Sequence, residues 1–134
     1  MVLFVPKDVI IDLHDEQIRL YGGKHGILNP DALDAAIHMP QQTQEGQYLH
    51  STIYEMAAAY VYYLVLDHAF VDGNKRTARM TMVTFLELNG LEITVSEDET
   101  VKVLLSIENK TITKQQAAEW LENVTVARRY AKDR

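Results

Sequence analysis

From Tyr54 to Leu66 the chain reads YEMAAAYVYYLVL, a run whose one charge is Glu55. Small and apolar residues fall on every side at helical spacing, so a helix made from this run has no polar face to offer water. Such a helix belongs at the centre of a fold, with other elements packed around it. It is too short to cross a bilayer, which takes about 20 apolar residues. The chain's 134 residues are enough for one core, and no linker, charge block or repeat divides them. The sequence therefore predicts a single domain over residues 1–134.

The flanking punctuation predicts the remaining elements. A first helix starts at Pro6, a good first-turn residue, and stops at Gly22-Gly23. NPDALDAAI opens a second helix with Asn29 as cap and Pro30 as first residue, and Met39-Pro40 ends it. Residues 41–50 are polar and read as an exposed loop or flap. Ser51 or Thr52 caps the central helix, which is expected to reach His68. A helix resumes near Lys75 and ends at Asn89-Gly90. LEITV alternates weakly and reads as one short strand beside Leu3 to Val5. Ser96 caps a helix to about Ile107. Thr113 and Gln116 form a capping box ahead of a last helix anchored by Trp120, and the tail VTVARRYAKDR reads as a solvated, fraying end. The sum is an all-α fold of six or seven helices with at most a minor β element.

Composition narrows the function classes. The chain has no cysteine, which excludes disulfides and thiolate metal sites. MVLFVPKDVI lacks the pattern of a signal peptide, so the expected setting is the cytoplasm, away from membranes. A formal net charge of -6 argues against direct nucleic-acid binding, which needs a basic face. GGKHG and GNKRT both fail the P-loop pattern.

Against that acidic background, HAFVDGNKRTARM (His68 to Met80) gathers a histidine, a carboxylate and three cations. Taken singly the pieces are ordinary. His68 shares a helix face with Val61, Leu64 and Val65 and suits a core or helix-capping role. Asp72-Gly73-Asn74 is turn chemistry. Together they point elsewhere, because Lys75, Arg76 and Arg79 crowd a helix N-terminus, where cations are unfavourable unless an anion is bound. Asp72 beside phosphates suits Mg²⁺, and His68 suits a general base. His14, His25, His38 and His50 lack zinc spacing and read as surface or capping residues. Asp67 is expected to point away from His68 and receives no role.

The stretch resembles the Fic-domain signature H-x-F-x-D/E-G-N-x-R-x-x-R at His68, Phe70, Asp72, Gly73, Asn74, Arg76 and Arg79. LHDEQIRLYGG, NPDALDAAI, DGNKRTA and FLELNG further resemble the death-on-curing (Doc) branch, whose members are toxins of toxin–antitoxin pairs. The resemblance implies a helical Fic/Doc domain that uses ATP and Mg²⁺ to phosphorylate translation elongation factor Tu. It implies His68 as general base, Asp72 as Mg²⁺ ligand, Phe70 packing the loop into the core, and Gly73 and Asn74 shaping the phosphate-binding loop. Lys75, Arg76 and Arg79 would contact phosphates, with Lys75 and Arg76 also serving catalysis. Two alternatives stand beside this: AMP transfer by the same site, and a catalytically silent antitoxin-binding module. Ala69 replaces a frequent proline, and Lys75 replaces the second glycine of AMP-transferring Fic proteins. A self-inhibitory S/T-x-x-x-E-G/N segment is missing; Ser51 to Glu55 comes closest, but Met56 follows. Inhibition is therefore expected from a cognate antitoxin.

Overall fold

A computed structural model of the chain describes residues 1–128. In order, the elements are α1 (Lys7–Tyr21), α2 (Pro30–His38), a 3-10 turn (Met39–Gln41), β1 (Thr43–Gln44), β2 (Gln47–Tyr48) and α3 (Ile53–Leu66). They continue with α4 (Asn74–Leu88), β3 (Leu91–Ile93), α5 (Glu97–Glu108), α6 (Lys114–Asn123) and β4 (Thr125–Ala127). The fold is all-α, with two small antiparallel strand pairs.

The apolar run becomes the centre. Met56 to Val61, Leu64 and Val65 are all buried in α3, which packs against α2, α4, α5 and α6. Tyr60 and Phe85 are fully buried and meet with ring centroids 5.2 Å apart. Each large side chain buried in this way contributes roughly 1.5–3 kcal/mol. Trp120 is half-buried against the same core.

Caps fix where the surrounding helices begin. The side chains of Asn29, Thr52 and Ser96 accept the amides of Ala32, Glu55 and Glu99 at 3.0, 3.0 and 3.2 Å. Thr113 and Gln116 cap each other at 2.8 and 3.1 Å. Such caps contribute about 1 kcal/mol each. They start α2, α3, α5 and α6.

Three sequence expectations need correction. The strand Leu91–Ile93 pairs with Thr125–Ala127 and not with Leu3 to Val5. The Asn89 amide takes that place: its Oδ1 accepts from Leu3 N at 2.9 Å and its Nδ2 donates to Leu3 O at 2.8 Å. A side-chain amide offers the same donor and acceptor as a peptide, so the N-terminal segment needs no strand partner. Consequently the tail does not fray at Thr125–Ala127; its last residues, 129–134, lie outside the described ones. Residues 41–50 are not all loop. Glu45 (φ 54°) and Gly46 (φ 80°) turn β1 into β2, the positive-φ pair a tight hairpin requires.

Buried at the middle of the core, the Tyr60 hydroxyl accepts from Val5 N at 3.1 Å. Burial pushes its phenol up from the ordinary 10.0 to about 12. The unfolded chain thus ionises this group first, so its contribution to stability is intact below pH 10 and is lost as pH rises towards 12. The loss amounts to roughly 2–3 kcal/mol. Tyr60→Phe should flatten this alkaline slope in urea titrations. It should also lower stability at pH 7 by about 1–3 kcal/mol, because Val5 N–H is left unpaired.

Candidate active site

The helix α3 stops at Leu66, short of His68. His68 takes a left-handed conformation (φ 50°) and is exposed, while Ala69 and Phe70 are buried. The expectation that His68 lies on the apolar face with Val61, Leu64 and Val65 is therefore corrected. Its imidazole has no hydrogen-bond or ion-pair partner among the described residues. A non-glycine residue in this region costs on the order of 1–2 kcal/mol and persists only where neighbours enforce it. The enforcement is visible next door. Ala69 O accepts from Leu28 N at 2.8 Å and Asn29 N at 3.1 Å, and Val71 N donates to Gly26 O at 3.1 Å.

Asn74 closes the loop from inside. Its Oδ1 accepts from Phe70 N at 3.0 Å, and its Nδ2 donates to Phe70 O at 2.9 Å. Both ends of the buried side-chain amide thereby bond Phe70, so the Asn74 side chain shapes the loop. Gly73 adopts φ 79°, and a Cβ there would stand 3.1 Å from Ile18 Cδ1. The positive φ favours glycine, and the space beside Ile18 is tight. No side chain caps α4 behind it, and the amides of Gly73 to Arg76 donate to no protein group among the described residues. This helix start is open to an anion.

Asp72 lies beside it. Its Oδ2 accepts from Lys24 N at 2.8 Å, leaving Oδ1 without a protein partner. Among the described residues no cluster of three or more His, Asp or Glu side chains forms a metal cage. One free carboxylate oxygen next to an anion site suits a divalent cation that arrives with phosphates and keeps most of its waters. Asp67 ends α3 nearby, and burial raises its carboxyl above the usual carboxylate range.

The three cations do not surround the helix start as the spacing suggested. Lys75 Nζ pairs with Glu108 at 3.0 Å and Arg79 Nη2 with Glu97 at 3.2 Å, both acceptors belonging to α5. Arg76 reaches the other way, donating to Gln17 O and Gly22 O at 3.1 Å each, with Tyr21 beneath it at 6.0 Å. Each cation thus has a resting acceptor, and for Arg76 these are carbonyls at the C-terminal end of α1, the end that favours positive charge. All three nevertheless line one cavity of about 130 Å³ with Glu97, Val101 and Leu104. Pairs as exposed as Lys75–Glu108 and Arg79–Glu97 are worth about 0–1 kcal/mol, so neither cation is held tightly by its carboxylate.

Two histidines were misplaced by sequence reasoning. His14 is only 1% exposed. Its ring stacks on Phe70 (centroids 3.8 Å apart, planes at 9°), and its Nε2–H donates to Asp72 O at 2.7 Å. The signal was present: Ile10, His14 and Ile18, spaced by four, form the buried stripe of α1. His50 is also buried, and Lys114 Nζ donates to its Nε2 at 2.9 Å. Burial first, then the Lys114 ammonium, lowers its pKa. His25 is exposed, and His38 donates to Asp34 O at 2.7 Å at the end of α2, a capping role as expected.

The chain is thus a helical domain with an exposed histidine ahead of an uncapped, cation-rich helix start. The Fic/DOC family model matches residues 4–86, which includes this whole loop. The chain belongs to the Fic/DOC family. It is 38% identical over 78 residues to Toxin Doc of Mycolicibacterium smegmatis, covering 58% of this chain and 60% of that protein. It is 32% identical over 89 residues to Protein kinase doc of Escherichia phage P1, covering 66% and 70% respectively.

Asn74→Ala should destabilise the protein by about 2–3 kcal/mol in urea unfolding, since it orphans both polar atoms of buried Phe70. A cost below about 0.5 kcal/mol would mean the loop is held mainly by the α1 side.

Proposed function

We propose that this protein is a Doc-type toxin. In this reading it transfers the γ-phosphoryl group of ATP, with Mg²⁺, to a protein hydroxyl, the target being translation elongation factor Tu. One observation carries the reading. An unpartnered, exposed His68 precedes the open start of α4, in a loop held in place by Asn74 and by the backbone of Gly26 to Asn29. The name of the phage relative, a protein kinase, supports phosphoryl over AMP transfer.

The chemistry follows from the parts. His68 accepts the proton of the target hydroxyl as that oxygen bonds to the γ-phosphorus. The bond from phosphorus to the bridging oxygen breaks, and ADP leaves. Bound Mg²⁺ would offset the developing charge on the phosphates, with Asp72 Oδ1 as its protein ligand. The amides of Gly73 and Asn74 receive phosphate oxygens, and Lys75, Arg76 and Arg79 supply positive charge as they leave their resting partners. Lys75 brings a cation where a second glycine would let backbone hug the α- and β-phosphates. That draws the most charged, terminal phosphate towards His68.

In the sequence the Ser51 to Glu55 stretch is not followed by the residue that self-inhibition needs, so control falls to a cognate antitoxin. Neither a membrane nor nucleic acid is a direct partner in this reading, and its setting is the cytoplasm.

The test uses ATP labelled at either the α- or the γ-phosphate, with purified elongation factor Tu. Label should come from the γ-position only, whereas α-label on the target would establish AMP transfer instead. His68→Ala should lower transfer by about 10²–10⁴ with nucleotide affinity nearly unchanged. Lys75→Gly should weaken transfer of the γ-label. A wild-type protein that binds ATP but transfers neither label would indicate the silent, antitoxin-binding module.

A further inference from the structure

The loop that carries His68 and Asp72 is held from α1 by one side chain that neither the motif nor the family match assigns to the site. His14 Nε2–H donates to the Asp72 carbonyl at 2.7 Å, and the same ring lies flat on Phe70. A carbonyl only accepts, so this bond fixes the tautomer: the proton is on Nε2. On the other side of the ring, Nδ1 is 3.6 Å from Asp15 Oδ1, beyond hydrogen-bond length.

The consequence passes through one peptide plane. No peptide bond among the described residues is cis, so the N–H of Gly73 points opposite to the C=O of Asp72. Pulling the carbonyl towards α1 therefore aims the Gly73 amide away from α1, out of the open start of α4. It also fixes the backbone from which the Asp72 carboxylate projects, the far oxygen of which is tied to Lys24 N. The stack on Phe70 alone would hold the loop's position without setting the direction of this peptide.

We infer that His14 is a positioning residue, which through its bond to the Asp72 carbonyl orients the Gly73 amide and the Asp72 carboxylate for the nucleotide's phosphates. This rests on the nucleotide reading above and adds to it a residue 58 positions away in sequence.

Two substitutions separate the bond from the stack. His14→Phe keeps a flat ring on Phe70 and removes the donor. His14→Gln keeps an N–H donor near the Nε2 position and removes the ring. Calorimetric titration of full-length wild type and both variants with ATP and Mg²⁺, beside their thermal unfolding, gives two orders. If His14 positions, affinity falls about ten-fold in His14→Phe, the size of one hydrogen bond, and His14→Gln stays closer to wild type. The unfolding temperatures should run in the opposite order, with His14→Gln the less stable. If affinity instead follows stability, with His14→Phe binding as wild type does, His14 is only a packing residue and the inference is overturned while the nucleotide reading stands. If wild type itself binds no ATP with Mg²⁺, the nucleotide reading fails and this inference falls with it.

Discussion

The pair of hydrogen bonds between the Asn74 amide and the Phe70 backbone is the constraint on which the site depends. It joins the last residue of the loop to its middle, so that Phe70 is drawn inward to 1% exposure. His68, two residues earlier, is left outside with a left-handed backbone. A helix continued through this stretch would bury the histidine on the face of Val61 and Leu64. The loop exists because a side-chain amide satisfies one peptide's donor and acceptor together, which no apolar residue of the same size does.

Charge is arranged around that loop with the same economy. An acidic chain keeps three cations at one helix start by giving each a resting partner: two carboxylates on α5 and the carbonyl end of α1. The repulsion that the sequence implied is thereby relieved without an anion. The partners differ in kind, however. Carboxylates on exposed side chains give way easily, whereas Arg76, forked across two carbonyls, also braces α1 against α4.

What was legible in the sequence follows from how local each signal is. Helix starts were read well because Asn29, Thr52, Ser96 and Thr113 cap within three residues. The loop was found because a motif's spacing survives whatever packs behind it. The pairing of β3 with β4 could not be read: strands of three residues carry almost no periodicity, and Asn89 had already taken the N-terminal segment. The burial of His14 was hidden for a different reason. Polarity suggested a surface position, while its place between Ile10 and Ile18 said core, and the stripe was the better guide. The resting partners of Lys75, Arg76 and Arg79 depend on α1 and α5 folding onto α4, which spacing within one helix does not specify.

The bonds that hold the loop to α1 and the turn after it join residues 48 to 59 positions apart. Contacts of that span form late, after much of the chain has been brought together. A newly made chain that has just completed HAFVDGNKRTARM thus possesses every chemical group of the motif but not the contacts that seat it on α1. A fragment lacking α1, however faithfully it carried the signature, would lack those contacts as well. The geometry of the loop belongs to the closed fold and not to the motif.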